Sequence, residues 1–209
     1  MPRDDLPVLG FEDPAAWEAW LAGQHATSPG VWLKIPKKKG PAAGAGVAAG
    51  VATGTAVPGV SYPEALAVAL CYGWIDGQKA GLDDGHWLQR FTPRQPGSRW
   101  SKINTEKATE LIEAGRMRPA GLREVERARA DGRWDAAYAG QRTMAVPPDL
   151  ERALAGNDAA LAFFATLSGA NRYAILYRIA DAKRPQTRAR RIEKYVAMLA
   201  AHETIHPQS

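Results

Sequence analysis

Cysteine is almost missing from this sequence: Cys71 stands alone among 209 residues, so no intramolecular disulfide framework staples the fold, and its neighbourhood lacks the paired spacing of a zinc site. Histidine is also sparse. His25, His86, His202 and His206 are scattered, only the loose pair His202/His206 approaches ligand spacing, and neither a metal nor any other cofactor is expected. Charge is absent between Gly40 and Pro63, but so are leucine, isoleucine and phenylalanine; the stretch is mostly Ala, Gly, Val and Thr, with Pro41, Pro58 and Pro63. Glycine weakens a helix and lipid-facing bulk is missing, so residues 41–59 read as a flexible insertion and no transmembrane segment is expected. The opening Met-Pro-Arg-Asp-Asp shows neither the apolar segment nor the cleavage pattern of a secretory signal, which makes the cytoplasm the expected location. Tryptophan is absent from the last 75 residues, while all seven lie in the first 134. That asymmetry argues for two compositionally different parts.

The hydrophobic and charged fractions, 45% and 23%, are those of an ordinary globular chain, which excludes a disordered or fibrous protein. Asp13 as N-cap and Pro14 at the first helical position, followed by Trp17, Trp20 and Leu21, predict a helix that Gly23 and Gly30 end. Val31–Ile35 reads as a strand, and Ser61 and Pro63 start a second helix that Gly73 stops. Asn104 is the expected N-cap of a helix ending at Gly115, and Pro119 to Ala130 is another, stopped by Gly132. Pro147-Pro148 divides the chain. Beyond it Asp149–Ala155, Asn157–Leu167, Ser168–Lys183 and Pro185–Ala201 carry helical periodicity. The expected class is α+β: residues 1–147 form a domain with a small antiparallel sheet packed by helices, and 148–209 an all-helical module.

Trp74–Ala80 and His86–Thr92 flank Asp83-Asp84-Gly85, a hairpin signal. A two-residue loop would put Lys79 opposite Arg90, an unfavourable pairing of like charges. A three-residue loop with Gly85 in the left-handed region instead pairs 74 with 94, 76 with 92 and 78 with 90. That register puts Ile75, Trp87 and Phe91 on an apolar face, with Phe91 covering Gly77. It gathers Trp74, Asp76, Gln78, Arg90, Thr92 and Arg94 on a polar one.

Several separated motifs are distinctive: Tyr62-Pro-Glu-Ala-Leu, Leu70-Cys-Tyr-Gly-Trp-Ile-Asp-Gly-Gln-Lys79, Gln89-Arg-Phe-Thr-Pro-Arg94, Ser98-Arg-Trp-Ser-Lys-Ile-Asn104, Gly115-Arg-Met117 and Pro119-Ala-Gly121. With the tail from Pro148-Asp-Leu through Ala182-Lys-Arg-Pro-Gln-Thr-Arg-Ala-Arg-Arg-Ile192, they resemble the YdeI/OmpD-associated family, also called bacteriocin-protection proteins. The resemblance implies a C-terminal helical module, a role in stress resistance and tolerance of antimicrobial peptides, and association with an outer-membrane porin. It implies no catalytic mechanism.

The residues themselves suggest a site. Arg90, Arg94, Arg99 and Lys102 are cationic donors with no acid between them, and guanidinium forks match carboxylate or phosphate. Ser101 and Asn104 stand where a helix start offers free N–H groups, and Trp74 and Trp100 are candidate apolar walls. With Gln78 and Thr92 these residues form a candidate Trp/Arg/Asp cleft for an anionic small molecule or acidic peptide. The competing structural reading is that the arginines pair with Asp76, Asp83, Asp84 and Glu106 and fix the hairpin on the helix. Asp76, the acid at the centre of the polar face, is the candidate acid/base of an enzyme reading, with Cys71, Ser101 or Tyr72 assisting; the plainer reading of Cys71 is a small core residue. A third reading makes 183–194 a nucleic-acid or membrane accessory helix, with Arg184, Arg188, Arg191 and Lys194 facing solvent or an acidic partner. It lacks interleaved aromatics, and no specific nucleic acid is expected. The sequence leaves the oligomeric state open.

Overall fold

The computed structural model describes residues 6–37, 59–140 and 143–208, so the insertion expected at 41–59 lies outside the described residues except for Gly59. The chain forms two compact units, Met1–Ala137 and Tyr138–Ser209.

In the first unit the punctuation read from the sequence is realised by specific hydrogen bonds. Helix α1 (Pro14–Gln24) starts where Asp13 accepts from the Ala16 N–H. Helix α2 (Tyr62–Cys71) starts in a capping box in which Ser61 and Glu64 satisfy each other's backbone donors, and it ends at Gly73 with φ +74°. Helix α3 (Lys102–Glu113) is capped by Ser101, whose Oγ accepts from the Asn104 N–H at 3.2 Å; Asn104, the expected cap, is instead a buried residue of the first turn. Helix α4 (Pro119–Ala130) follows. Residues Ala65–Cys71 are all buried, because α1, α3 and α4 pack around α2 and β3 flanks it.

The sheet has the order β1 (Val8–Leu9), β2 (Val31–Pro36), β4 (His86–Pro93), β3 (Trp74–Gly81). It is mixed: β1 runs parallel to β2, whereas an antiparallel sheet was expected. A two-residue strand is too short to show periodicity, which is why the sequence gives no sign of β1.

The hairpin departs from expectation in an instructive way. Near the turn, Lys79↔Gln89, Ala80↔Leu88 and Gly81↔Trp87 follow the three-residue loop. A bulge at Gly77–Gln78 then shifts the register by one, giving Trp74↔Pro93, Ile75↔Thr92 and Asp76↔Phe91. One extra residue turns every side chain beyond it to the other face. Trp74 and Asp76 therefore lie on the face of Phe91, toward the helices, and Ile75 joins Arg90 and Thr92; the Arg90 side chain, not Phe91, lies over Gly77. The bulge is held by Gln89, a fully buried residue whose Nε2 donates to the carbonyls of Gly77 at 2.9 Å and Gln78 at 3.2 Å. Gly85 does not take a positive φ. The Asp83 carboxylate accepts from the Gly85 and His86 N–H groups at 2.8 and 2.7 Å, and this side-chain turn needs no left-handed residue.

The second unit consists of α5 (Pro148–Ala155), α6 (Asp158–Ala165), α7 (Gly169–Ala180) and α8 (Pro185–Ala200) around a core that includes Leu150, Leu154, Phe164, Ile175, Ile179 and Leu199. Asn157 and Ser168 cap α6 and α7. No described helix is long and apolar enough to cross a membrane.

Candidate functional site

Two glycines bring α4 against the end of α2. At Gly121 an added Cβ would sit 2.4 Å from the Cys71 carbonyl oxygen, so the two backbones touch there. The turn after α2 lies equally close to α4, since an added Cβ at Gly73 would lie 3.0 Å from the Ala120 carbonyl oxygen. Beside this contact is a cavity of about 160 Å³ bounded by His25, Tyr72, Gly73, Trp74, Arg94, Arg123 and Glu124, among others.

Arg94 is the anchor of that cavity. It is buried, its backbone N–H donates to the Gly73 carbonyl at 3.0 Å, and its guanidinium stacks 3.5 Å above the Trp100 ring while one nitrogen donates to the Arg99 carbonyl at 3.2 Å. Trp100 packs in turn on Trp134, with centroids 4.9 Å apart. Arg133 donates to the Ser98 carbonyl at 2.6 Å and fastens the same loop from the other side. Guanidinium on indole is a rigid, desolvated arrangement that fixes the cation's direction. Glu124, the one acid among the described residues of the cavity wall, is held by Arg127, and Arg123 is exposed at the rim. The His25 ring donates through Nδ1 to the Leu21 carbonyl at 2.9 Å, because a carbonyl can only accept.

Of the residues expected to form the cleft, the structure brings Trp74 and Arg94 to this cavity. Trp74 is not a wall on an exposed polar face: it is 1% exposed, its indole N–H donates to the His25 carbonyl at 3.1 Å, and its ring meets Trp17 and Trp20 edge-on. Trp100, equally buried, supports Arg94 from behind. Ser101 and Asn104 belong to the α3 cap, Lys102 is exposed at the start of that helix, and Arg99 contributes a carbonyl. Arg90, Thr92 and Gln78 lie along the hairpin and are not among the cavity residues. Asp76 accepts from the Tyr62 hydroxyl at 2.9 Å; its partner is a phenol, where the competing structural reading paired it with arginine.

His25, Tyr72, Arg123 and Glu124 were not among the expected cleft residues. The signal for them was the pair of glycines, Gly73 and Gly121, which mark a close helix approach. Burial and the nearby Glu18 carboxylate push the Tyr72 hydroxyl above its ordinary range, and burial does the same to the Cys71 thiol, so the latter is a core residue and a poor nucleophile.

On α8, Arg188 and Arg191 do not present a free basic face. Arg188 forms a two-pronged pair with Asp149, at 2.6 and 2.9 Å, and donates to the Ile179 carbonyl at 3.0 Å. Arg191 reaches the Arg178 carbonyl and the Asp181 carboxylate. Among the described residues no cluster of His, Cys, Asp and Glu is arranged to hold a metal ion.

Residues 9–124 match the family model described as a domain of unknown function, DUF8412, and residues 143–202 match that described as Bacteriocin-protection, YdeI or OmpD-Associated. The second match bears out the resemblance drawn from the sequence, while the motifs between Tyr62 and Gly121 fall within the first. Comparison with curated proteins and with solved structures returns no match.

Proposed function

We propose a ligand-binding function for this chain, which belongs to the DUF8412 family over its first half and carries a YdeI/OmpD-associated segment in its second. It acts as a cytoplasmic protein of the bacteriocin-protection and stress-resistance type that binds an anionic small molecule, or the carboxylates of an acidic peptide, in the Arg94 cavity. The observation that carries this reading is buried Arg94, a residue of the cavity wall whose guanidinium is stacked on Trp100, in a cavity whose one acid among the described residues, Glu124, is engaged by Arg127. A cavity near 160 Å³ is smaller than the roughly 300–1,000 Å³ of drug-sized sites and admits a carboxylate or phosphate head whose remainder stays outside.

The enzyme reading of Asp76 gains nothing from this geometry, since Asp76 is not a cavity residue. A thermal-shift series with phosphate, succinate and a glutamate-rich peptide tests the binding reading. The wild type should be stabilised with the logarithm of anion concentration above Kd, by about 2.7 kcal/mol at a hundredfold excess over Kd. Arg123→Ala and Arg94→Lys should lose most of the shift; a wild-type shift no larger than that of these variants for every anion would overturn it.

A further inference from the structure

At the opposite end of α2 from the cavity, Tyr62 and Trp87 face one another with ring centroids 5.9 Å apart and planes tilted by 46°. The ammonium group of Lys79 lies to the side of the pair, 5.4 Å from the Tyr62 centroid and 4.8 Å from that of Trp87. Both distances are within the roughly 6 Å at which an aromatic face attracts a cation. The Tyr62 hydroxyl donates to Asp76 Oδ2 at 2.9 Å, which steadies the ring and sets a carboxylate next to the pair.

The fold makes this grouping. Lys79 pairs with Gln89, two residues from Trp87, so both side chains are on the face toward α2, whose first residue is Tyr62. The bulge at Gly77–Gln78 turns Asp76 onto that same face.

We propose that Tyr62, Trp87 and Asp76 form a recognition site for an alkylammonium group, which the chain's own Lys79 fills in this structure. The filling group is displaceable. Lys79 is exposed and both rings are only partly buried, so an incoming ammonium exchanges like for like and leaves Lys79 hydrated rather than stranded. Two faces of negative quadrupole beside a carboxylate suit primary and quaternary ammonium groups and repel anions. The site is therefore opposite in preference to the Arg94 cavity and independent of it. Its ligand is a free amine or the lysine side chain of a basic partner segment.

The test follows the Trp87 indole N–H resonance of the full chain, assigned through Trp87→Phe, during titration with tetramethylammonium chloride and n-butylammonium chloride against sodium chloride. Lys79→Ala empties the pair, and its Trp87 signal should move saturably with a millimolar midpoint. The wild type should bind at least about fivefold more weakly, since a tethered competitor acts at millimolar effective concentration. Asp76→Asn, nearly isosteric, should weaken binding severalfold in the Lys79→Ala background. No movement beyond the sodium chloride control in Lys79→Ala, or equal midpoints in Lys79→Ala and wild type, would overturn the proposal. Repeating the titration with acetyl-Gly-Lys-Gly-amide and its norleucine counterpart distinguishes the sources: a lysine-dependent shift assigns the site to a partner's side chain, and binding of the small amines alone assigns it to a free amine.

Discussion

Replacing glycine by alanine should have opposite signs in two helices of the same unit. At Gly121 in α4, the new methyl carbon would meet the backbone oxygens of Cys71 and Leu70 at 2.4 and 2.7 Å and the Met117 Cε at 2.8 Å. The carbonyls belong to a buried helix and cannot swing aside, so α4 must move off α2. Overpacking of this kind costs about 3 kcal/mol. Alanine's better helix propensity offsets about 1 kcal/mol of that, leaving a net loss of about 2 kcal/mol. At Gly23, in the exposed last turn of α1, nothing lies within 4 Å of an added Cβ. There the propensity gain stands alone, at about 0.5 kcal/mol. All seven tryptophans fall in the first unit, so tryptophan fluorescence reports on its melting alone. Gly121→Ala should lower that midpoint by about 7 °C and Gly23→Ala raise it by about 2 °C. A neutral or stabilising Gly121→Ala would refute the backbone-to-backbone contact of α2 and α4, and with it the wall of the Arg94 cavity.

Three further outcomes are expected. Gln89→Leu removes the donor that serves the bulge carbonyls of Gly77 and Gln78 and should cost about 2 kcal/mol in the fluorescence-monitored denaturation; an unchanged midpoint would mean that the bulge is held by other means. In the second unit, hydrogen bonds from Arg188 hold the Asp149 carboxyl below its ordinary range. The folded state thus favours the charged form, and the stabilisation is complete above the unfolded carboxylate pKa of about 3.9 and lost as pH falls through the lower folded value. With 35% of the Asp149 side chain exposed, screening limits it to about 1 kcal/mol. Circular-dichroism melts of wild type and Asp149→Asn should accordingly differ at pH 7 and draw together as the pH falls below about 3.9. The Cys71 thiol, buried and shifted upward, should react with a thiol reagent at pH 8 at least about a hundredfold more slowly in the native than in the denatured chain; rapid stoichiometric labelling of native protein would contradict its burial.

Much of the fold was legible because it is encoded locally. Asp13, Ser61, Asn157 and Ser168 act as caps through side chains three residues from the amides they satisfy, or through a reciprocal box, and Gly73, Gly115 and Gly132 do adopt the positive φ their stopping role requires. The candidate site was legible in part. The clustering of arginines pointed to Arg94, yet of the two tryptophans read as walls of an open cleft, Trp100 packs behind Arg94 and Trp74 reaches the cavity as a buried residue. Aromatic surface carries no label saying whether it faces a ligand or a core. Arg184 and Lys194 are exposed as expected, whereas the engagement of Arg188 was hidden for a similar reason: Asp149 is 39 residues away, beyond any local pattern.

By itself, then, the sequence determined the α+β class, the helix starts and stops, the three-residue hairpin loop and the concentration of tryptophan in one part of the chain, all consequences of side chains acting on their near neighbours. Only the tertiary structure decided which face Trp74 and Asp76 occupy, because a buried glutamine twelve residues from Gly77 stabilises a bulge that alternation cannot reveal. It also decided that a cavity forms beside α4, because two helices approach as closely as the missing side chain of Gly121 allows.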